Sequence, residues 1–390
     1  MIFALPLAWL QLKHDYRRTM VALSGIVFAV MMIFMQLGFR EALFESAVHL
    51  HKSLQGDIFL ISPRSTSLTA MESFSERRLD QVLGFEEVKL VIPIYLGFGQ
   101  WKNPQLKDYW RPIYVIGFEV AEGVFNLPGV QENLAQLKRP NVVLFDESSR
   151  TEFGPVVQQF EQKGTVITEI GNRAQGNRQI EVGGLFRLGT SFGADGNLIT
   201  SDLNFLRIFS QRRKGFIEIG LIQLKPSSNT ERVVAKIEEF LPEDVKVLSK
   251  ENFIKFEQDY WQSSTAIGFV FNLSVGMAII VGIVVVYQIL YTNVTDYLPE
   301  YATLKAIGYT QRYLLYLVFQ EAIILAILGY IQGIVIASFS YRISRDKTSL
   351  PIEMTSARAI IVLVLTILMC FLAGAIAVRK LKDADPADIF

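Results

Sequence analysis

The 390-residue chain has one cysteine, Cys370, so no disulfide can form within it, and cysteine usage leaves the redox compartment open. It has no charge excess, because 38 basic residues meet 38 acidic ones. That balance argues against a nucleic-acid binder, which carries a basic surplus. Histidine is scarce, with only His14, His49 and His51. The last two are two positions apart, poor geometry for shared ligation on a helix, and they read as surface residues rather than a metal site. There is no G-x-x-x-x-G-K-[ST] phosphate loop, no H-E-x-x-H and no G-x-S-x-G. An enzyme reading therefore has no motif to rest on, and no cofactor site is expected on this chain.

Apolar sequence is what the chain has in quantity: 51% of residues are hydrophobic, against 19% charged. A helix needs about 20 apolar residues to cross a bilayer core about 30 Å thick. Four blocks meet that requirement, within 19–38, 263–291, 313–341 and 359–378. The first and fourth are free of charge, and the third holds Glu321 near its start. A charge at mid-helix costs roughly 2.5–3.5 kcal/mol on insertion scales, so clean blocks of this length indicate membrane spans. The first is longer than a signal peptide's apolar region and lacks a small-residue cleavage site, so it reads as an uncleaved anchor. Lysines and arginines beside the spans divide in favour of one side. Lys13, Arg17, Arg18, Lys305, Arg312, Arg379, Lys380 and Lys382 oppose Arg342, Arg345, Lys347 and Arg358. That bias predicts both termini in the cytoplasm and residues 39–262 outside it.

The expected fold is an α-helical membrane protein with four transmembrane helices and a large α/β extracytoplasmic domain inserted between helices 1 and 2. Residues 1–18 carry Leu5, Ala8, Trp9, Leu12 and Tyr16 at helical spacing and read as an amphipathic helix in the cytoplasmic interface. Within 39–262, β-rich runs at 57–62, 88–98, 113–118, 142–145, 198–200 and 216–224 alternate with helical patterns at 73–83, 203–209 and 230–241. The Gly/Asn/Gln/Arg-rich stretch 161–187 reads as an exposed insertion and a candidate for partner contact. Residues 41–54 and 250–265 read as helical continuations of the first two spans, a stalk. Small residues recur at i, i+4: Gly25/Ala29, Ala278/Gly282 and Gly329/Gly333. That spacing lets helices approach closely in lipid, in a bundle or a dimer. Residues 292–312 form a loop between spans two and three, 342–358 a short external loop, and 379–390 a cytoplasmic tail.

The informative loop contains a short helix delimited by Pro299 at its start, Glu300 in its first turn and Gly308 at its end. Tyr301, Leu304 and Ile307 are expected on one apolar face, a compact plug for another protein's groove. The alternative is a tight turn that touches nothing.

The run Glu300-Tyr301-Ala302-Thr303-Leu304-Lys305-Ala306-Ile307-Gly308 resembles the E-x-x-x-L-[KR]-A-[IL]-G signature of FtsX/MacB-like permeases of ABC transporters. Glu321-Ala322 followed by Gly329 is similar to the family's E-A…G pattern. The tail, with Asp385-Pro386-Ala387-Asp388, is similar to its D-P-A-[ED] ending but closes on Ile389-Phe390, where many relatives have Leu-Arg. The opening and the LQGDIFLISP run resemble the DevC branch. The resemblance is tight over 263–390 and in outline over 40–262. It implies a type VII machine: two permease copies, two copies of a separate ABC ATPase that holds ATP and Mg, and coupling through the helix Pro299 to Gly308, with Lys305 and Ala306 inside it. It further implies mechanotransmission to a periplasmic adaptor (membrane fusion) protein and a TolC-like channel, with a lipid-like or other substrate. An FtsX-like relay to an envelope enzyme, a lipoprotein-extraction permease and a membrane sensor working without ATP are the other readings the layout allows.

Overall fold

The computed structural model describes residues 9–10, 13–14, 16–106, 108–172, 176–348 and 350–377. The chain divides into two compact units, one comprising Met1–Ala42, Ala266–Thr348 and Ile352–Phe390, the other Leu43–Thr265 with Ser349–Pro351.

The first unit is helical. Helix α1 is Tyr16–Ser53, whose residues to Ala42 belong to this unit. The other helices are α8 (Ala266–Asp296), α9 (Leu298–Ala306), α10 (Gln311–Thr348) and α11 (Ser356–Ala377). Four of these helices, α1, α8, α10 and α11, are long and apolar enough to cross a membrane. Their apolar residues run around the whole circumference, as a span between lipid and neighbouring helices requires. Ile26, Val30, Ile33 and Phe34 of α1 are fully buried, while Phe269, Val335 and Val364 of the other spans are exposed for lipid.

Small residues make the close packing possible. A Cβ at Gly25 would overlap Val285, one at Gly282 would overlap Met369, and one at Gly329 would overlap Ile26. Gly333 lies against Val30 in the same way, and Ala29 faces Gly282. The i, i+4 glycines of α10 thus hold α1, and those of α1 and α8 hold each other. Ala278 of α8 is also buried.

One end of this unit is tied by polar groups. The Arg358 guanidinium is buried and donates to Glu41 Oε2 from Nη2 at 2.6 Å and from Nε at 3.2 Å. Its Nη1 donates to the Glu353 carbonyl at 2.7 Å, and its charge lies 5.4 Å from the centre of the Tyr341 ring. The Tyr341 hydroxyl donates to the Phe34 carbonyl. Helices α1, α10 and α11 are therefore fastened around one cation.

The second unit is an α/β domain on a nine-stranded sheet. Its strands are β1 (Ile58–Ile61), β3 (Val88–Lys102), β4 (Trp110–Phe118), β5 (Val142–Asp146), β6 (Val166–Asn172), β7 (Gly176–Phe186), β8 (Asn197–Ser201), β10 (Ile219–Leu224) and β11 (Lys246–Ser249). A two-stranded ladder joins β2 (Phe74–Ser75) to β9 (Phe216–Ile217). The sheet order is β11-β1-β10-β3-β4-β8-β5-β7-β6, and β6 also pairs with the far end of β3 through Gln100–Gly171 and Trp101–Ile170. Strands β3, β4, β8, β5, β7 and β6 thereby close a ring, with β4–β8 and β5–β7 parallel. Trp101 is fully buried, and its Nε1 donates to the Phe153 carbonyl. Helices α2 (Arg77–Leu83), α3 (Leu134–Leu137), α4 (Val156–Lys163), α5 (Asp202–Ile208), α6 (Thr230–Phe240) and α7 (Lys250–Asp259) complete the domain. Three of them start on side chains that cap the free backbone N–H groups: Ser201, Asn229 and Ser249.

Four expectations change. The stretch 161–187 is not a loose insertion: it supplies the end of α4 and the antiparallel hairpin β6–β7, whose outer residues Gly176 to Gln179 are exposed. Its polar composition hid the alternation, because one face of the hairpin is in water. Residues 73–76 are not helix: Phe74–Ser75 is a short strand and the helix starts at Arg77. Residues 342–348 are the last turns of α10 rather than loop, since hydropathy marks where the apolar surface stops and not where the helix does. The second stalk helix is interrupted: α7 passes into a π turn over Tyr260–Ser264, and Thr265 is extended at φ −114° and ψ 152°. Its hydroxyl donates to the Trp261 carbonyl at 2.7 Å.

The Arg358 clasp predicts an asymmetry. Glu41 is 57% exposed and Arg358 only 4%. Glu41→Ala leaves a buried cation short of its anion and should cost about 3 kcal/mol, whereas Arg358→Met lets Glu41 relax into solvent and should cost roughly 1 kcal/mol or less. Thermal unfolding of the two variants in detergent compares them.

Candidate coupling site

Helix α9 is short because its sequence starts and stops it. Pro299 occupies the first turn, where its missing N–H is no loss. Glu300 lies in that turn and Lys305 in the last, both favourable to the helix dipole. Gly308 has φ +108°, a conformation that favours glycine, and it reverses the chain. The Ile307 N–H donates to the Thr303 carbonyl and the Tyr309 N–H to the Leu304 carbonyl at 3.0 Å, closing the turn.

The two faces differ. Leu304 is half-buried and packs with Tyr313 against the cluster Val294, Leu317 and Val318, the ends of α8 and α10. Ile307 is 70% exposed, and Tyr309 is also exposed, with its ring 4.7 Å from that of Tyr313. Pro299, Glu300 and Lys305 are exposed as well. Of the expected common face of Tyr301, Leu304 and Ile307, the last two part: Leu304 anchors the helix to its own bundle, while Ile307 is exposed. Spacing three apart placed them together, but the helix ends at Ala306 and Ile307 already belongs to the turn. The side chains of Tyr301 and Ala306, and the tail with Asp385 and Pro386, lie outside what the structure describes. Glu321 and Ala322 are both buried inside the helical unit. Among the described residues, no group of three or more His, Cys, Asp or Glu side chains is placed to hold a metal.

A second constellation, in the α/β unit, escaped the sequence reading. His51, near the end of α1, is fully buried rather than on the surface. Its ring lies 4.3 Å from that of Phe253, and its Nε2 is 3.7 Å from Glu257 Oε2 on α7. The same Glu257 oxygen accepts the Leu68 N–H at 2.7 Å, and its other oxygen accepts Trp261 Nε1–H at 2.7 Å. Trp261 in turn stacks on Phe192. One carboxyl thus joins α7, the Leu68 turn and the Trp261 indole, with the neutral His51 ring of α1 packed beside it and its two nitrogens without a hydrogen bond. Burial raises Glu257 to about 7 and lowers His51 to about 3. A glutamate flanked by Phe253, Phe256, Tyr260 and Trp261 was the available signal, because a lone acid among aromatics is a candidate for burial.

These features define a class: a multi-pass membrane protein with a mixed α/β domain between its first and second spans and a short helical turn between its second and third. The chain belongs to the FtsX/MacB-like permeases of ABC transporters. The family model for the MacB-like periplasmic core domain matches residues 19–240, and that for the FtsX-like permease C-terminal matches 272–386. Among solved structures, the periplasmic region of MacB from Actinobacillus actinomycetemcomitans is similar at 12% identity and TM-score 0.36, over 52% of this chain and 92% of that one. The extracellular domain of the noncanonic ABC-type transporter YknZ from Gram-positive bacteria is similar at 14% identity and TM-score 0.33, over 49% and 99%. No curated protein matches in sequence.

The His51–Glu257 pair has a pH signature with two opposing limbs. His51, lowered from 6.5, lends stability that is complete above pH 6.5 and fades as pH falls towards 3. Glu257, raised from 4.5, lends stability that is complete below pH 4.5 and fades as pH rises through 7. His51→Leu removes the first limb. Relative to wild type, the variant should gain on the order of 2 kcal/mol as pH falls from 6.5 to 4.5. Thermal midpoints followed by tryptophan fluorescence at several pH values report it, and parallel curves for the two proteins would refute it.

Proposed function

We propose that this chain is the permease subunit of an ATP-driven exporter of the MacB/DevC type. A separate ABC ATPase supplies ATP and Mg, and it grips the permease from the cytoplasm at α9. Two permease copies pair, with both termini cytoplasmic and the α/β unit outside the plasma membrane. A periplasmic adaptor and a TolC-like channel then carry a lipid-like or other substrate onward. The observation that supports this reading most is the two-sided character of α9. Leu304 fixes it to its own bundle, while Ile307 and Tyr309 offer an apolar tip to water beside Glu300 and Lys305. An exposed isoleucine at a reversal of chain has no packing reason to be there, and a partner's groove supplies one.

The division of labour between Leu304 and Ile307 shapes the test. Leu304→Asp would put a carboxylate into the Val294–Leu317–Val318 cluster and disturb the turn itself. Ile307→Asp changes only the exposed tip. Co-expressed with its ATPase and purified in mild detergent, Ile307→Asp should insert normally but lose the ATPase at least tenfold. Undiminished co-purification of the ATPase with Ile307→Asp refutes docking at this tip. Recovery of an envelope hydrolase in place of an adaptor would move the reading to an FtsX-like relay.

A further inference from the structure

Glu257 is a buried carboxyl that no cation neutralises. Its side chain is 2% exposed, and the basic group within 4.0 Å of it among the described residues is the neutral His51 ring, with Nε2 at 3.7 Å. The cations on the elements around it are engaged elsewhere. Lys52 binds Glu45, Lys250 donates to the Leu54 carbonyl, and Lys246 lies over the Phe256 ring. Arg111 binds Asp195, and Arg187 binds Glu147. His49, Arg64 and Lys255, with the acids Asp57, Glu72, Glu251 and Asp259, are exposed to water. The Tyr114 hydroxyl of β4 is spent on the Leu68 carbonyl at 2.7 Å. Neither nitrogen of His51 has a hydrogen bond, yet a neutral imidazole always keeps one bare acceptor nitrogen. The same carboxyl sits at the start of an irregular segment. It holds the Trp261 indole from one turn earlier, and Trp261 belongs to the π turn Tyr260–Ser264 and stacks on Phe192 at 5.1 Å.

We propose that Glu257 is a proton-operated latch on residues 257–265, the segment that joins α7 to α8: with its proton it holds the segment closed, and once that proton passes to water the segment opens. In the protonated form the carboxyl has an O–H to give, and the bare His51 nitrogen takes it when the 3.7 Å gap closes by less than about 1 Å. The remaining oxygen capacity still accepts the Leu68 and Trp261 N–H groups. In the ionised form those two donors remain, but the charge lies among Phe253, Trp261 and a neutral imidazole. Water solvates it better, and reaching water means parting the carboxylate from Trp261 and Leu68. The sign follows from the raised carboxyl, about 7 when closed against 4.5 in water. The closed form is fully favoured below pH 4.5 and loses ground as pH rises through 7, by about tenfold between about pH 6 and about pH 8. The device is separate from ATPase docking and from export, and it makes the junction before α8 responsive to the pH around the α/β unit.

Hydrogen exchange of the full-length protein in detergent, corrected for the intrinsic rate at each pH, tests the latch. Opening of the amides within 258–265 should rise about tenfold from about pH 6 to about pH 8. Glu257→Gln keeps an acceptor oxygen and a donor for His51 but cannot ionise, so it should remove the step. Trp261→Phe deletes one donor to the carboxylate and should move the step to higher pH, a displacement that lost packing alone does not produce. Infrared difference spectra over the same range should show a protonated-carboxyl band that wild type loses and Glu257→Gln lacks. Exchange in wild type that is flat across this range overturns the proposal. So does a step that persists in Glu257→Gln or that Trp261→Phe leaves in place. Should Glu257→Gln fail to fold, the Trp261→Phe displacement and the wild-type infrared titration decide.

Discussion

A 38-residue α-helix is about 57 Å long at 1.5 Å per residue, and the hydrocarbon core of a bilayer is about 30 Å thick. Helix α1 therefore cannot be accommodated as a span alone. Its first half carries an uncharged run with one face packed against α8 and α10, and its last turns belong to the α/β unit, where His51 is buried. No break lies between Tyr16 and Ser53. The other connection has a different character, since the chain between α7 and α8 passes through a π turn and an extended Thr265. One link is an unbroken helix, and the other contains a π turn and an extended residue.

Polar clasps secure α1 at two places. Arg358 holds α1 to α11 and α10 through Glu41, Glu353 and Tyr341. At its far end His51 packs on Phe253 of α7, beside Glu257, which accepts from the Leu68 N–H and the Trp261 indole. Buried charge is expensive, so Arg358 and Glu257 keep their partners, whereas the neutral His51 has a hydrogen bond at neither ring nitrogen. Such sites do little for net stability compared with apolar packing, but they admit few alternative geometries.

The layers of the structure differed in how far they were legible. Spans could be read because lipid imposes one composition over some 20 residues, and the charge-free runs in α1 and α11 satisfy it. Strands β1, β5 and β8, and the middle of β3 and the end of β4, could be read because both of their faces are buried. The hairpin β6–β7 could not, since Gly176, Asn177, Arg178 and Gln179 face water and resemble loop. The short helix α9 was visible from Pro299 and Gly308, which act locally, yet the direction of Ile307 was not, because it depends on where the helix ends. The His51–Glu257 clasp joins residues 206 positions apart, and nothing in either local sequence names the other. Thr265 gave no warning of its extended backbone for the same reason.

The proposed coupling between ATPase and α/β unit makes its most direct demand on the continuity of α1. A spin label on exposed Glu243 in each of two paired copies, measured by electron–electron distance with and without ATP trapped on the partner ATPase, reads movement of the α/β units directly. The account predicts an ATP-dependent shift that disappears when two glycines are inserted after Phe44, with ATP hydrolysis retained. A shift that survives the insertion unchanged would contradict it.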